Sequence, residues 1–147
     1  MGTGNNKIVE IYDELISKVA EEPLSKLLPL ALRLAIEIKN SNFEKWVRLE
    51  LNGYSKENPV ITDNDKIPDY RTIPGQHVDE FNRPLIIQDP NLSFINTFPL
   101  GIGINELERF SEKSQALSIN DPNTTKLIKD NLHVNVTYFR FSPTSLY

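Results

Sequence analysis

Apolar side chains recur along the first part of the chain at the three- and four-residue spacing of α-helices. The first apolar stripe consists of Ile8, Ile11, Tyr12, Leu15, Ile16 and Val19. Charged residues fill the positions between, so we expect a first helix that lies on a core along this stripe. Residues 24–38 follow Pro23 and are apolar around nearly the whole helical circumference, which predicts a central second helix. Pro29 inside it indicates either a kink or a second helix start.

A third helix is predicted over about residues 42–52. Ser41 and Glu44 have the spacing of a capping box, and Gly53 supplies the residue with positive φ that ends a helix. Two edges of this helix differ in character: one carries Phe43, Trp46, Val47 and Leu51, and the other carries Lys45, Arg48 and Asn52. We expect the first edge to pack and the second to be available for recognition.

The middle of the chain is rich in proline, with six of the ten prolines between residues 58 and 99. Each proline restricts the preceding residue to extended geometry, so long helices are not expected here. Residues 70–73 and 84–88 are interpreted as strands at a sheet edge, where a missing N–H is tolerated. Residues 92–98 are interpreted as one helical turn.

The last part of the chain mixes helix and strand signals. Asn105 and Glu108 predict a modest helix that carries Leu107 and Phe110 and reaches Leu117. Asp121 followed by Pro122 predicts another helix, to about residue 131.

Residues 132–141 are predicted to form a strand because Leu132, Val134, Val136 and Tyr138 alternate with polar residues. Phe139 and Phe141 fall on the opposite face, which implies a bulge or burial of both faces. Ser142 and Pro143 end the strand.

These patterns predict an α+β fold, in which three helices over about residues 7–53 pack on a small, mainly antiparallel sheet. The sheet belongs to a mixed half over about residues 59–147. A chain of 147 residues with 39% hydrophobic content has the usual size and composition of one domain.

Composition narrows the function classes. The formal net charge of -4 is spread evenly, which disfavours binding of long nucleic acids but leaves small anionic ligands open. The absence of cysteine excludes disulfides, thiolate catalysis and cysteine-ligated zinc. Residues 1–6 lack the features of a signal peptide, and the longest apolar run, residues 27–38, is too short for a bilayer. We therefore expect a cytoplasmic protein without membrane contact.

Residues that could support catalysis are few. His77 and His133 are the only histidines and do not form a metal-binding motif. Both are interpreted as exposed residues; the alternatives are a general base for His77 and a ligand contact for His133. Asp63, Asp65 and Asp69 alternate like calcium ligands, but the glycine and terminal glutamate of an EF-hand loop are missing, so solvated loop charges are the better interpretation. We predict no metal, no cofactor and no enzymatic activity.

One further pattern, Gly101-Ile102-Gly103, begins like a phosphate-binding fingerprint. No third glycine follows at the required spacing, and no strong strand precedes it. The signal is therefore weak.

The distinctive motif of the chain is Trp46-Val47-Arg48-Leu49-Glu50-Leu51-Asn52-Gly53-Tyr54, followed later by Pro68-Asp69-Tyr70-Arg71. Together with the helical region before it, this pattern resembles the AbiTii domain, a module of bacterial abortive-infection and anti-phage proteins. The resemblance implies a regulatory or sensor domain linked to an effector region. Family members continue beyond such a Ser-Pro segment, so this chain is expected to be the N-terminal part of a longer protein.

Cationic and aromatic side chains are the best candidates for ligand binding, because arginine binds phosphate bidentately and tyrosine stacks on bases. The candidate residues are Lys45, Arg48, Asn52, Tyr54, Tyr70 and Arg71. They would suit a nucleotide or a short oligonucleotide, and Arg71 is the preferred residue. Structural roles stay open: Tyr54 in a core or cap, and Arg71 paired with Asp69 or Glu50. We expect the sensor to form homo-oligomers. The alternatives to a sensor are a toxin enzyme acting on nucleic acid and a pure interaction module.

Overall fold

The computed structural model describes residues 2–112 and 117–142. Its fold class is α+β, as predicted from the sequence. The chain divides into two compact units: Met1–Lys66 with Gly101–Glu108, and Ile67–Leu100 with Arg109–Tyr147. The end of the predicted last strand at Pro143 lies outside the described residues.

The first unit is helical. It contains α1 (Gly2–Lys18), α2 (Leu24–Glu37), α3 (Ser41–Asn52) and the start of α4 (Ile104–Ser111). Its core consists of the buried residues Leu28, Ala31, Val47 and Ile104, and five partly buried residues pack around them: Leu15, Leu32, Phe43, Leu51 and Leu107. α2 is continuous through Pro29, so the alternative of a second helix start is wrong.

The predicted packing of α1 is only half correct. Ile11 is buried, and Leu15 packs against the core. Tyr12, Ile16 and Val19, which belong to the same predicted stripe, are all more than half exposed. The periodicity identified a helix, but its apolar arc is wider than the surface that covers it.

The predicted Ser41–Glu44 capping box of α3 is wrong, and Glu44 pairs with Arg48 instead. Asn40, rather than Ser41, is the N-cap residue, and its side-chain oxygen accepts a hydrogen bond from the backbone N–H of Phe43 at 3.0 Å. The helix therefore begins one residue earlier than predicted. Gly53 ends it with a positive φ of 99°, as predicted, but its ψ of 165° lies outside the left-handed helical region.

Gly101 and Gly103 allow residues 101–103 to approach the backbone at the end of α3 closely. The N–H of Tyr54 donates to the carbonyl oxygen of Gly101 at 2.7 Å. A Cβ atom on Gly103 would lie 2.4 Å from the carbonyl oxygen of Leu51, and one on Gly53 would lie 2.8 Å from that of Gly101. Glycine is required here because no side-chain atom fits between the chains.

The second unit contains two small antiparallel sheets. One pairs β1 (Thr72–Pro74) with β3 (Thr97–Pro99), and the other has the order β2-β5-β4, formed by β2 (Gln76–Val78), β5 (Tyr138–Phe141) and β4 (Leu117–Ile119). α5 (Pro122–Leu132) begins after Asp121, close to the prediction. Two 3-10 helices, Asp69–Arg71 and Pro90–Asn96, complete the unit.

Several boundaries in this unit differ from the prediction. Tyr70 lies in a 3-10 helix rather than a strand, and of residues 84–88 only Pro84 forms an isolated bridge, to Val78. The predicted turn at residues 92–98 starts earlier, at Pro90, and Phe98 is in β3. Leu117 is in β4 instead of a helix.

The predicted strand over residues 132–141 is wrong in its first half. α5 extends to Leu132, His133 adopts a left-handed conformation, and only Tyr138–Phe141 pair as a strand. Phe139 and Phe141 point inward while Tyr138 is exposed. Within β5 the buried face carries Phe139 and Phe141, whereas Val136, which the alternation grouped with Tyr138, is buried outside the strand.

His77 is buried, whereas the sequence predicted an exposed loop residue. Its side chain in β2 is 2% exposed and lies edge-on to Phe139, with 5.1 Å between the ring centroids. Neither ring nitrogen has a hydrogen-bond partner among the described residues. Burial lowers the pKa of His77, and the Asp121 charge and the Ile95 backbone oppose this effect.

Candidate functional site

A cleft of about 380 Å³ lies beside the C-terminal end of α3, within the helical unit. Its lining residues come from the segment that follows the helix: Tyr54, Lys56, Ile61, Thr62, Asp63 and Asp65. Ligand sites of small molecules typically enclose roughly 300–1,000 Å³, so this cleft has the size for one.

Tyr54 forms one wall of the cleft and is held in place by Glu50. The tyrosine hydroxyl donates to a Glu50 carboxylate oxygen at 2.5 Å, and Glu50 is itself 6% exposed. A hydrogen bond to a buried carboxylate is charge-assisted and restricts the phenol ring. The ring is therefore fixed before any ligand arrives.

Asn58 holds the segment that forms the other walls. Its side chain is buried, and its amide nitrogen donates to the carbonyl oxygens of Arg48 at 3.2 Å and Gly53 at 2.8 Å. The Gly53 carbonyl follows the last residue of α3, where helical partners run out, and the Arg48 carbonyl lies about one turn earlier. Asn58 thereby ties the loop to the helix end.

Asp65 fixes the far side of the loop. One of its carboxylate oxygens accepts from the backbone N–H of Thr62 at 2.7 Å and from the Thr62 hydroxyl at 3.0 Å. The same oxygen lies 2.8 Å from the Nζ of Lys45 on α3. The Lys45 ammonium, followed by the Thr62 N–H, lowers the pKa of Asp65, which is therefore a carboxylate at neutral pH.

Two lining side chains remain available to a ligand. Lys56 and Asp63 are both exposed, and neither forms a hydrogen bond or an ion pair within the described part of the chain. Lys45 and Asp65 neutralise each other at the edge of the cleft. The polar groups that can engage a ligand are therefore one ammonium and one carboxylate, beside an aromatic ring.

Two of the six predicted site residues lie at the cleft. Tyr54 lines it, and Lys45 lies at its edge, where it forms an ion pair with the lining residue Asp65. Arg48 is half-buried, and its Nε bonds a Glu44 carboxylate oxygen at 3.1 Å. Asn52 is the exposed last residue of α3 and does not line the cleft.

Tyr70 and Arg71 belong to the other unit. Tyr70 is 64% exposed, whereas Arg71 is 5% exposed and donates from a terminal nitrogen to the carbonyl oxygen of Leu100 at 3.1 Å. A guanidinium at this depth with a backbone partner has the environment of a scaffold residue. Its role as a ligand residue stays a prediction.

Sequence reasoning missed Lys56, Thr62 and Asn58 and treated Asp63 and Asp65 only as solvated charges. One signal was available: Asn58 and the residues that follow it lie directly after the distinctive motif that ends at Tyr54. A loop after a helix C-terminus can fold back to bond backbone carbonyls near the helix end, as Asn58 does with those of Arg48 and Gly53.

The sequence profile of the AbiTii family matches residues 8–146, which is nearly the whole chain. The chain belongs to the AbiTii family. This membership connects it with abortive infection, the bacterial defence against phage. No curated protein and no solved structure gives a significant match.

In this AbiTii chain, the motif from Trp46 to Tyr54 forms the end of a helix and one wall of the cleft. It forms the second half of α3, the glycine that ends the helix and the tyrosine of the cleft wall. Trp46 is 41% exposed and stacks beside Phe43, with 6.1 Å between the ring centroids. The motif therefore builds the helix end on which the cleft depends.

Two further findings on the AbiTii chain concern metal ions and the membrane. Within residues 2–112 and 117–142, acidic and histidine side chains nowhere form a group of three suited to a metal ion. Over the same described ranges, every helix is too short or too polar to cross a membrane.

Proposed function

We propose that this chain is the regulatory domain of an abortive-infection defence protein and that it binds a nucleotide-type signal in the cleft beside Tyr54. The observation that carries the proposal is the combination of a fixed aromatic ring with an ammonium and a carboxylate that have no partner of their own among the described residues. As proposed, the domain itself performs no chemistry and acts on a linked effector region.

The three groups match the three parts of a nucleotide. A base stacks on the Tyr54 ring, because stacking is tolerant of base identity and contributes about 1–3 kcal/mol. The Lys56 ammonium neutralises a phosphate, and the Asp63 carboxylate accepts hydrogen bonds from ribose hydroxyls or a base amino group. A single ammonium suits a ligand with few phosphates, in agreement with the net charge of -4, which disfavours long polyanions.

The loop that lines the cleft provides the route from ligand binding to a response. Residues 54–65 are tied to α3 at Asn58 and at the Lys45–Asp65 ion pair, and the lining residues between these anchors are mostly exposed. A ligand that bridges Tyr54, Lys56 and Asp63 would order this segment. Such a change of a surface loop can be transmitted to an effector.

The experiment is a thermal-shift screen against mononucleotides, cyclic dinucleotides, and short linear and cyclic oligonucleotides, followed by calorimetry for any ligand that raises the Tm. A ligand that binds only the native state raises stability by RT ln(1 + [L]/Kd). Failure of every member of the panel to raise the Tm at millimolar concentration would contradict the proposal.

A matched pair of variants locates the ligand. Lys56→Gln should weaken binding by about tenfold or more, because the phosphate loses its counter-charge. Lys66→Gln makes the same change at an exposed position outside the cleft and should leave the Kd within about twofold. Equal binding by both variants would place the ligand elsewhere.

The alternative of a toxin enzyme is less well supported by the geometry. His77, which the sequence offered as a general base, is 2% exposed and is therefore inaccessible to a substrate from solution. Nuclease activity in highly purified protein, lost on substitution of Asp69, would reverse this ranking.

A further inference from the structure

The apolar side of α1 is about twice as wide as the part that the fold covers. Ile8, Ile11 and Leu15 form an inner stripe, in which Ile11 is 2% exposed and Leu15 packs on the core. One position after each of them comes another apolar residue, rotated by about 100° around the helix. This second row, continued by Val19, leaves the apolar arc partly in solvent.

We name Val9, Tyr12, Ile16 and Val19 the outer stripe. Their exposed fractions are 55%, 53%, 52% and 57%, and Val19 lies in the turn directly after the helix. Their spacing of three, four and three residues is the pattern of a seam between paired helices. A surface helix that needs only one covered face does not require this second row.

We propose that the outer stripe is the surface through which a second copy of this chain binds, with the two α1 helices antiparallel. The order of side chains along the stripe is nearly symmetric, because a valine lies at each end and a larger side chain at each of the two inner positions. A two-fold axis at its centre places Val9 opposite Val19 of the second copy and Tyr12 opposite Ile16 of the second copy. Antiparallel pairing also opposes the two helix dipoles.

The charges of α1 support an apolar partner rather than a charged one. Lys7, Glu10, Glu14 and Lys18 lie on the side of the helix away from the outer stripe, and two of them pair with each other: Nζ of Lys18 is 2.9 Å from Oε1 of Glu14. Only Asp13 flanks the stripe. Self-pairing therefore places one exposed carboxylate of each copy at the edge of the seam and leaves its centre apolar. On α1, a basic partner would find only Asp13 as a counter-charge beside the stripe, and an acidic partner would find none.

The size of the stripe determines the strength of the dimer. Four half-exposed apolar side chains present on the order of a few hundred Å² of apolar surface, the scale at which an exposed patch marks an interaction site. A stable interface of standard size buries about 800 Å² on each partner. The stripe alone thus supports a weak dimer whose population depends on protein concentration.

Sedimentation velocity over a concentration series from about 1 µM to 500 µM tests this inference. The wild-type chain should shift from monomer to dimer. Ile16→Glu should weaken the dimer by more than about tenfold without lowering the Tm, because Ile16 is half exposed in the folded chain. Ser17→Glu places the same charge on the next, exposed residue, away from the stripe, and should dimerise like the wild type.

A wild-type chain that stays monomeric over the whole series would overturn the inference, because the stripe would then belong to another partner. A dimer that survives Ile16→Glu would overturn it as well. The test is independent of any nucleotide, so its failure leaves the proposed ligand cleft unaffected.

The absence of cysteine allows the helix orientation to be tested by crosslinking. A mixture of Val9→Cys and Val19→Cys should form disulfide-linked heterodimers on mild oxidation, because the antiparallel arrangement brings these positions together. Each variant alone should crosslink poorly. Efficient self-crosslinking of Val9→Cys alone would indicate parallel helices and would overturn the proposed arrangement.

Discussion

The hydroxyl of Tyr54 donates a 2.5 Å hydrogen bond to the carboxylate of Glu50, one helical turn earlier, at a site where Glu50 is 6% exposed. The pair spans the point at which α3 ends and the cleft begins. It therefore links the stability of the helix end to the position of the ring that we propose as the base-stacking wall.

Replacing Tyr54 by phenylalanine should destabilise the chain by about 1–3 kcal/mol, because a buried carboxylate loses a charge-assisted donor. Urea denaturation measures the change. Tyr12→Phe is the matched control: its hydroxyl is on a residue that is 53% exposed, so its removal should change stability by less than about 0.5 kcal/mol. Equal effects of the two variants would mean that the Tyr54 hydroxyl has no special role.

Asn58→Asp should be among the most damaging substitutions in the loop. The new carboxylate cannot donate to the carbonyl oxygens of Arg48 and Gly53 and would face them with like charge, at an expected cost of roughly 2–4 kcal/mol. Asn64→Asp makes the same chemical change at an exposed position of the same loop and should be nearly neutral. Chemical denaturation of both variants gives the comparison, and similar midpoints would refute the anchoring role of Asn58.

Gly103→Ala should destabilise the helical unit by roughly 1–3 kcal/mol, because the added Cβ would lie 2.4 Å from the carbonyl oxygen of Leu51 and the backbones would have to separate. Asn105→Ala, at an exposed position two residues later in α4, should be neutral or slightly stabilising. Thermal unfolding of the two variants separates these outcomes. A neutral Gly103→Ala would show that the close approach is not needed.

Stability should fall as the solution is acidified below the ordinary His77 pKa of 6.5. Burial lowers the pKa of His77 in the folded chain, so between the two pKa values the unfolded chain binds more protons. The contribution of neutral His77 to the free energy of unfolding is complete above pH 6.5. It is lost as the pH falls towards the pKa that His77 has in the folded chain.

Urea midpoints measured from neutral to mildly acidic pH test this effect. The wild type should lose more stability than His77→Phe, which keeps an aromatic ring beside Phe139 but cannot be protonated. His133→Asn serves as the control, because His133 is exposed and asparagine tolerates its left-handed conformation; it should behave like the wild type. Identical slopes for the wild type and His77→Phe would disprove the assignment.

The helices were largely predictable because their signals are local. Proline at the start of α5, glycine after α3 and the three- and four-residue apolar period all act within one or two helical turns. The cap of α3 was misplaced by one residue because Asn40 and Ser41 are both good capping residues, and sequence alone does not choose between them.

The strands were less predictable because they are three or four residues long and depend on distant partners. β5 pairs with residues 76–78 and 117–119, and only this pairing decides that Phe139 and Phe141 face inward. The apolar alternation over residues 132–141 left a bulge or burial of both faces open, and residues 133–137 form no ladder. His77 was misjudged for the same reason, since its burial comes from Phe139, far away along the chain.

By itself the sequence determined the fold class, the helical first half, the family and the motif that ends at Tyr54, because each is encoded in local periodicity or in residue identity. Only the tertiary structure decided which candidate residues share a site. The fold-back of the loop through Asn58 and Asp65 forms a cleft that Tyr54 lines and that Lys45 reaches only at its edge. The fold also buries Arg71 against a backbone carbonyl. Such contacts join residues that are distant in sequence, and no local pattern records them.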